Sequence, residues 1–379
     1  MFWIYIRKPP IHSPIHSPIN THNVAFWVFM GECMGMKPKI QLTHQLLKII
    51  AELDEFKGRW SATTLLAPDR LSSLKHVATI ESIGSSTRIE GVKLTDSQIE
   101  SLLGGVGRQS FSSRDEEEVA GYAEAMNLVF SSFGEMTLTE NHIRQLHSTV
   151  LKFSSKDQRH RGEYKKFPNN VEAFDSSGKS LGVVFKTSSP FDTPKEMKAL
   201  IAWTNENLDS KELHSLLVVA VFVVHFLAIH PFQDGNGRLS RVLTTLLLMR
   251  AGYGYAPYSS LERVIESNKD SYYLALRRAQ GSIGKGDTKL GDWILFFLQS
   301  MKKQKDNLTK KLRQETLLNE IPAASLAILS IVRERGRATM SDLVNLTKQN
   351  RNTLKVHLKE LVRQGHLAQL GKGKGTWYK

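Results

Sequence analysis

The chain has 379 residues, 41% of them hydrophobic, and a formal net charge of +14. That apolar content excludes a disordered polymer, and the length suits two or three domains. A single cysteine, Cys33, excludes an intrachain disulfide framework and fits a reducing compartment such as the cytoplasm.

Residues 1–36 carry the tandem Ile11-His12-Ser13-Pro14 and Ile15-His16-Ser17-Pro18. The apolar run Val24 to Met30 is brief, and basic residues are missing from the extreme N-terminus, which argues against a signal peptide. The stretch reads as disordered, or as an extension upstream of a natural start at Met34 or Met36. Helical periodicity begins near Ile40. Residues 37–130 read as a helical lead-in that includes Trp60, Leu65, Leu66 and a short helix over Ile83 to Ile89. Thr139 to Lys152 reads as an amphipathic helix in a central domain of residues 131–300. Between Lys165 and Lys186, the cluster Ser176-Ser177-Gly178-Lys179 predicts a hairpin, the only sheet in an otherwise helical core. An exposed hairpin edge can receive a partner strand through main-chain bonds.

Leu216 to Ile229 is apolar except for His225. It is shorter than the roughly 18 residues a membrane span needs, and reads as a buried helix. Pro231 disfavours helical geometry at the residue before it, so this helix ends near His230. Leu239, Val242, Leu243, Leu246 and Leu247 predict a second buried helix from Asn236 or Gly237. Asn268, Tyr272, Tyr273 and Gln280 fall on a further helix, and Asp292 to Lys311 on another with a basic end. A separate module follows within residues 301–379. It has helices over Ala323 to Arg335, Ser341 to Leu346 (capped by Ser341) and Asn350 to Gln364, then strands over His366 to Leu370 and Thr376 to Tyr378. From Lys302 to Lys379 there are 17 Lys and Arg against 6 Asp and Glu, so most of the chain's positive excess sits here, as in a phosphate-binding module.

The densest chemistry lies between the two buried helices, in His230-Pro231-Phe232-Gln233-Asp234-Gly235-Asn236-Gly237-Arg238-Leu239-Ser240-Arg241. Gly235 and Gly237 allow close approach of a ligand to the backbone. Free N–H groups at a helix start make an anion site. Arg238 and Arg241, three apart, point from one side of the first turn toward the same anion. Asp234 is repelled by that anion unless a cation such as Mg2+ lies between. His230 can accept a proton from an attacking hydroxyl.

This segment matches HPFx(D/E)GNGRxxR at every specified position and resembles the signature of the Fic family. Ser86-Thr87-Arg88-Ile89-Glu90-Gly91 resembles that family's inhibitory motif, (S/T)xxxE(G/N). His160-Arg161-Gly162-Glu163-Tyr164 and the tract to Pro190 resemble its flap region. The resemblance covers about residues 40 to 300. It implies a mainly α chain, a Fido-fold helical bundle with a small β-hairpin flap. It also implies transfer of AMP from ATP to a Ser, Thr or Tyr hydroxyl of a target protein or of the chain itself, with release of diphosphate.

Carried over by motif, His230 is the general base and Asp234 holds Mg2+. Gly235, Asn236, Gly237 and Arg238 cradle the phosphates of ATP, Arg241 binds the terminal one, and Phe232 anchors the loop. Tyr273 and Asn268 contact the nucleoside, with Gln280 standing where some relatives have Asn. Glu90, in one motif with Ser86, pairs with Arg241 and excludes the γ-phosphate; in some animal relatives the matching glutamate also supports removal of AMP. A protein substrate docks along the flap at 165–186. Kinase-like relatives replace the second half of the GNGR segment, so the presence of Gly237 favours adenylyl transfer. The last module resembles a winged helix-turn-helix domain. Lys348, Arg351, Asn352 and Lys355 then face a DNA groove, and Lys372 and Lys374 reach the backbone from the wing. Such modules also dock proteins or form homodimers, and both alternatives stay open. Two other readings compete: a DNA-binding regulator that senses ATP with little transferase activity, and a phosphotransferase with another nucleotide donor.

Overall fold

The computed structural model describes residues 26–28, 38–61, 68–104, 110–174, 180–283, 285, 289–319, 322–363, 365–371 and 373–379. The Ile-His-Ser-Pro repeats, Cys33, Met34, Met36, Leu65, Leu66, the hairpin turn at 176–179 and Lys372 lie outside these residues, as does the side chain of Lys374.

Strand β1 (Phe26–Val28) pairs antiparallel with β2 (Ile40–Leu42). Two expectations are corrected here: Ile40 opens a strand rather than a helix, and the flap hairpin is not the only sheet. Burial alternates from Ile40 to Gln41, the period of a strand. The helix waits for a cap at Thr43, whose hydroxyl accepts the Leu46 N–H at 3.3 Å. Helices α1 (His44–Ser61), α2 (Pro68–Ile89), α3 (Asp96–Gly104), α4 (Arg114–Ser132) and α5 (Glu140–Val150) follow. The predicted short helix at Ile83 is the last part of the 22-residue α2. The flap hairpin is present, with β3 (Val171–Phe174) antiparallel to β4 (Ser180–Phe185).

Helices α6 (Thr193–Ser210), α7 (Ser215–Ile229), α8 (Asn236–Arg250), α9 (Leu261–Glu266), α10 (Lys269–Ser282) and α11 (Leu290–Asn319) complete the central part of the chain. Helix α7 is buried all round, as its composition predicts, and packs on α6, α8 and α10. Trp293 of α11 is fully buried and donates its indole N–H to Ala220 O at 2.7 Å. Helix α4 packs on α5 and α8. A Cβ at Gly121 would collide with the Val150 carbonyl, so only glycine lets α4 approach the end of α5 this closely.

The last elements are α12 (Ala323–Arg335), β5 (Ala338–Thr339), α13 (Met340–Thr347), α14 (Arg351–Arg363), β6 (Gln369–Leu370) and β7 (Trp377–Tyr378). Their antiparallel sheet has the order β5-β7-β6. Ile328, Val332, Leu343, Leu354, Leu358 and Leu361 form its own hydrophobic core. The cap of α13 is Thr339 rather than Ser341: Thr339 leaves β5 extended and shares a capping box with Asp342. Lys348 is the left-handed C-cap of α13, not a residue of the third helix. Strand β5 escaped sequence reading because two residues carry no period.

The chain divides into two compact units, Met1–Thr63 with Ala78–Lys302, and Thr64–Val77 with Lys303–Lys379. The lead-in from α1 to α4 therefore shares a unit with the central helices, except for the start of α2. Among the described residues no helix is long and apolar enough to cross a membrane.

Candidate active site

The site grows from the junction of α7 and α8. Helix α7 stops because His230 turns left-handed, with φ 53° and ψ 59°, directly before Pro231. Its imidazole Nδ1 lies 3.3 Å from Leu227 O. A carbonyl only accepts, so Nδ1 carries the proton and Nε2 is left with a free lone pair. Burial pushes the His230 pKa down to about 4, so the ring is neutral at pH 7.

Phe232 sinks into the core and stacks on the ring of His147, with centroids 3.8 Å apart and planes 13° apart. His147 Nδ1 accepts the Gly162 N–H at 2.9 Å, so its Nε2 donates to Asp234 O at 3.0 Å. The loop is closed by Asn236. Its Oδ1 accepts the Phe232 N–H at 2.9 Å, and its Nδ2 donates to Phe232 O at 2.7 Å. The side chain of Asn236 is thus spent inside the loop, and what it offers a ligand is its backbone N–H.

The first hydrogen bond of α8 runs from Leu239 N–H to Gly235 O at 2.9 Å, leaving the N–H groups of Asn236, Gly237 and Arg238 without helical acceptors. The carboxylate of Glu90 sits directly over this helix start. A Cβ at Gly237 would collide with Glu90 Oε1, so the close approach depends on glycine. Glu90 Oε1 also accepts from Arg241 Nη2 at 2.7 Å. Arg241 is 95% buried, and its Nε and Nη2 donate to Ser86 Oγ and Ser86 O at 2.7 and 3.0 Å. Ser86 therefore acts beneath Arg241, outside the cleft. Burial alone would raise the Glu90 pKa, but Arg241 outweighs it and holds the carboxylate ionised.

Arg238 and Arg241 do not converge on one partner. Three residues of helix leave them about 60° apart around the axis, enough to send them to different carboxylates. Arg238 pairs with Glu118 at 3.2 Å and Asp234 at 3.5 Å. Asp234 is ringed by Lys156 at 3.2 Å, Arg238 and, at 3.9 Å, Arg114. Burial would raise its pKa, but Arg238, the Gly235 N–H and Lys156 bring it below the usual carboxylate value.

One cavity of about 830 Å³ joins these groups, a size suited to a nucleotide. His230, Asp234, Gly235, Asn236, Gly237, Arg238, Arg241, Tyr273 and Glu90 all line it, and Tyr272, Lys269 and Gln280 extend the wall along α10. Asn268 does not join them. It is exposed at the start of α10, and its amide donates to Val264 O at 2.8 Å and Ser267 Oγ at 3.1 Å. Sequence reading missed Arg114, Glu118 and Lys156. The only signal was the i,i+4 spacing of Arg114 and Glu118, buried within the acidic run Asp115 to Glu118.

A family model of the Fic/DOC family matches residues 137–248. The chain carries a Fic/DOC domain. That domain spans the His230 loop and the hairpin; Glu90 and α10 lie outside the matched segment. Protein adenylyltransferase Fic of Drosophila mojavensis and that of Drosophila grimshawi are each 32% identical to the chain over 206 residues, 54% of its length. The aligned segment covers 38% and 40% of these relatives, so the chain spans about two fifths of their length. A Fic family protein from Desulfovibrio desulfuricans superposes with a TM-score of 0.58 and 21% identity, covering 91% of this chain and 98% of that one. A Fic-domain signalling protein from Bacteroides thetaiotaomicron gives 0.56 and 23%, covering 71% and 97%. At these identities the likeness speaks for the fold.

Proposed function

We propose that the chain is a protein adenylyltransferase restrained by its own Glu90. One observation carries the reading: a His230 Nε2 with a free lone pair and a helix start with open N–H groups share a cavity, and the Glu90 carboxylate lies on Arg241 at its edge. The Fic/DOC domain and relatives named protein adenylyltransferase support it.

In this reading the N–H groups of residues 236–238, with Arg238, receive the phosphates of ATP once Glu90 has moved aside, and Arg241 takes the terminal phosphate. A target Ser, Thr or Tyr hydroxyl attacks the α-phosphorus. The new P–O bond forms as the bond to the β-phosphate breaks, diphosphate leaves, and the hydroxyl proton passes to His230 Nε2. Asp234 is the group for Mg2+. Among the described residues no three His, Cys, Asp or Glu side chains cluster as a metal site. Asp234, at the helix start in the cleft, suits a hard cation that would fill its other positions with phosphate oxygens and water, and such a cation would supply neutralisation of phosphate charge. Tyr273 serves the nucleoside side of the cleft, and the β3–β4 hairpin offers an edge to an extended target segment.

Mass spectrometry of the Glu90→Gly protein after incubation with ATP and Mg2+ tests the proposal. Self-modification by AMP is expected. A phosphate adduct would favour a phosphotransferase, and an unmodified protein would favour the ATP-sensing regulator.

The C-terminal unit has a second role in this proposal, as a DNA-binding winged helix. Three helices, a three-stranded sheet and the exposed Arg351, Asn352 and Lys355 of α14 support it. A gel shift with duplex DNA that weakens steeply with salt is the expected result, and its absence would favour protein docking or dimerisation.

A further inference from the structure

The left-handed backbone of His230 is held from outside the loop. Lys165, just before the hairpin, is 97% buried. Its Nζ donates three hydrogen bonds, to Ile229 O at 2.8 Å, Asn169 Oδ1 at 2.9 Å and Thr187 Oγ1 at 3.1 Å. Its backbone N–H donates to Pro231 O at 2.8 Å. Asn169 Oδ1 also accepts from Thr187 Oγ1 at 3.0 Å. With its oxygen fixed by two donors, Asn169 must turn Nδ2 toward the loop, where it donates to His230 O at 3.1 Å and Phe232 O at 2.6 Å. Four consecutive carbonyls, from 229 to 232, are thus held by two residues of the segment leading into the hairpin.

We propose that Lys165 and Asn169 are positioning residues for proton transfer, a clamp that keeps His230 left-handed and its Nε2 aimed at the reacting hydroxyl. The inference rests on the adenylyltransferase reading but concerns side chains whose hydrogen bonds go to the loop backbone and to Thr187, although Asn169 also lines the cleft. A non-glycine residue with positive φ persists only where its surroundings over-determine it, and these bonds supply that constraint. An ammonium is otherwise costly at this depth: burial pushes the Lys165 pKa down to about 8, against the opposing pull of Glu196. Its charge also disfavours protonation of His230, while Glu90 and Asp234 act the other way.

The test compares Lys165→Met and Lys165→Arg in the full-length Glu90→Gly protein, with Thr187→Val as a milder variant should Lys165→Met fail to fold. Three quantities are measured: the rate of AMP incorporation, the affinity for ATP, and the titration of the His230 imidazole by NMR. Lys165→Met is expected to lower the rate on the order of 100-fold, the scale of a displacement of about 1 Å, with ATP affinity within about twofold. Its His230 midpoint should lie above that of the Glu90→Gly parent, because the Lys165 charge that disfavours protonation is gone. Lys165→Arg should recover most of the rate, and Thr187→Val should fall between. An unchanged rate, or equal losses of rate and ATP affinity, would overturn the clamp. If the Glu90→Gly parent transfers no AMP, the adenylyltransferase reading fails while the clamp is still judged by NMR. A His230 resonance and midpoint unmoved in Lys165→Met, or in Thr187→Val where Lys165→Met is unfolded, would then overturn it.

Discussion

His230 combines a strained backbone with an unprotonated Nε2, and both follow from where α7 is forced to stop. As a base with its pKa near 4, it should keep activity through mildly acidic pH. The sign follows from the role: the unprotonated ring accepts the proton, so kcat/KM of Glu90→Gly should hold through mildly acidic pH and fall no higher than about pH 4, since loss of Glu90 lowers the His230 pKa further, and a pH–rate profile checks this. His230→Ala is expected to reduce AMP transfer by about 10²–10⁴-fold with an unchanged circular dichroism spectrum. Glu90 is the opposing residue. Its bond to Arg241 is charge-assisted, of a kind worth about 1.5–3 kcal/mol. Glu90→Gly should therefore raise the transfer rate about ten- to a hundredfold, read by labelling with α-phosphate-labelled ATP. The resemblance of the motif implied Glu90 and Arg241 as partners; beyond the i,i+4 spacing of Arg114 and Glu118, nothing in the sequence placed Glu118, Arg114 and Lys156 around Asp234 and Arg238, because those contacts join side chains far apart in the chain.

At the scale of elements, the site depends on how closely helices approach. Helix α4 carries Arg114 and Glu118 to the cleft, and Gly121 lets it pack against the end of α5. Gly121→Ala must push the helices apart, because its new methyl meets backbone rather than a movable side chain. A loss of about 1–3 kcal/mol in urea unfolding is expected, with weakened nucleotide binding as the Arg238–Glu118 pair shifts. The helices α7 and α8 were legible because their apolar content is extreme and Pro231 punctuates them. The β1–β2 pair and β5 were not, since strands of two or three residues exist only through their partners.

At the scale of the whole molecule, charge is divided unevenly. The basic excess lies from Lys302 onward, and α14 exposes Arg351, Lys355, Lys359 and Arg363. Replacing Lys355 and Lys359 together by Glu should weaken duplex retention at every sequence tested, and the salt slope should fall by about one for each phosphate no longer neutralised. The Glu90→Gly transfer rate should be unaffected by this pair. An unchanged salt dependence of gel shifts would count against a DNA role for this face.

The sequence by itself determined the order of most helices, the turn at His230 and the grouping of acid, base and anion-binding backbone within twelve residues. Those features are local, dictated by apolar periodicity, proline and glycine. Only the tertiary structure decided which partners those residues hold. It laid Glu90 over Gly237, divided Arg238 from Arg241, kept Asn268 out of the cleft, and brought Lys165 and Asn169 beneath His230. The physical reason is that a charge or an amide in the chain has many possible partners, and burial leaves it only those that packing brings within hydrogen-bond reach.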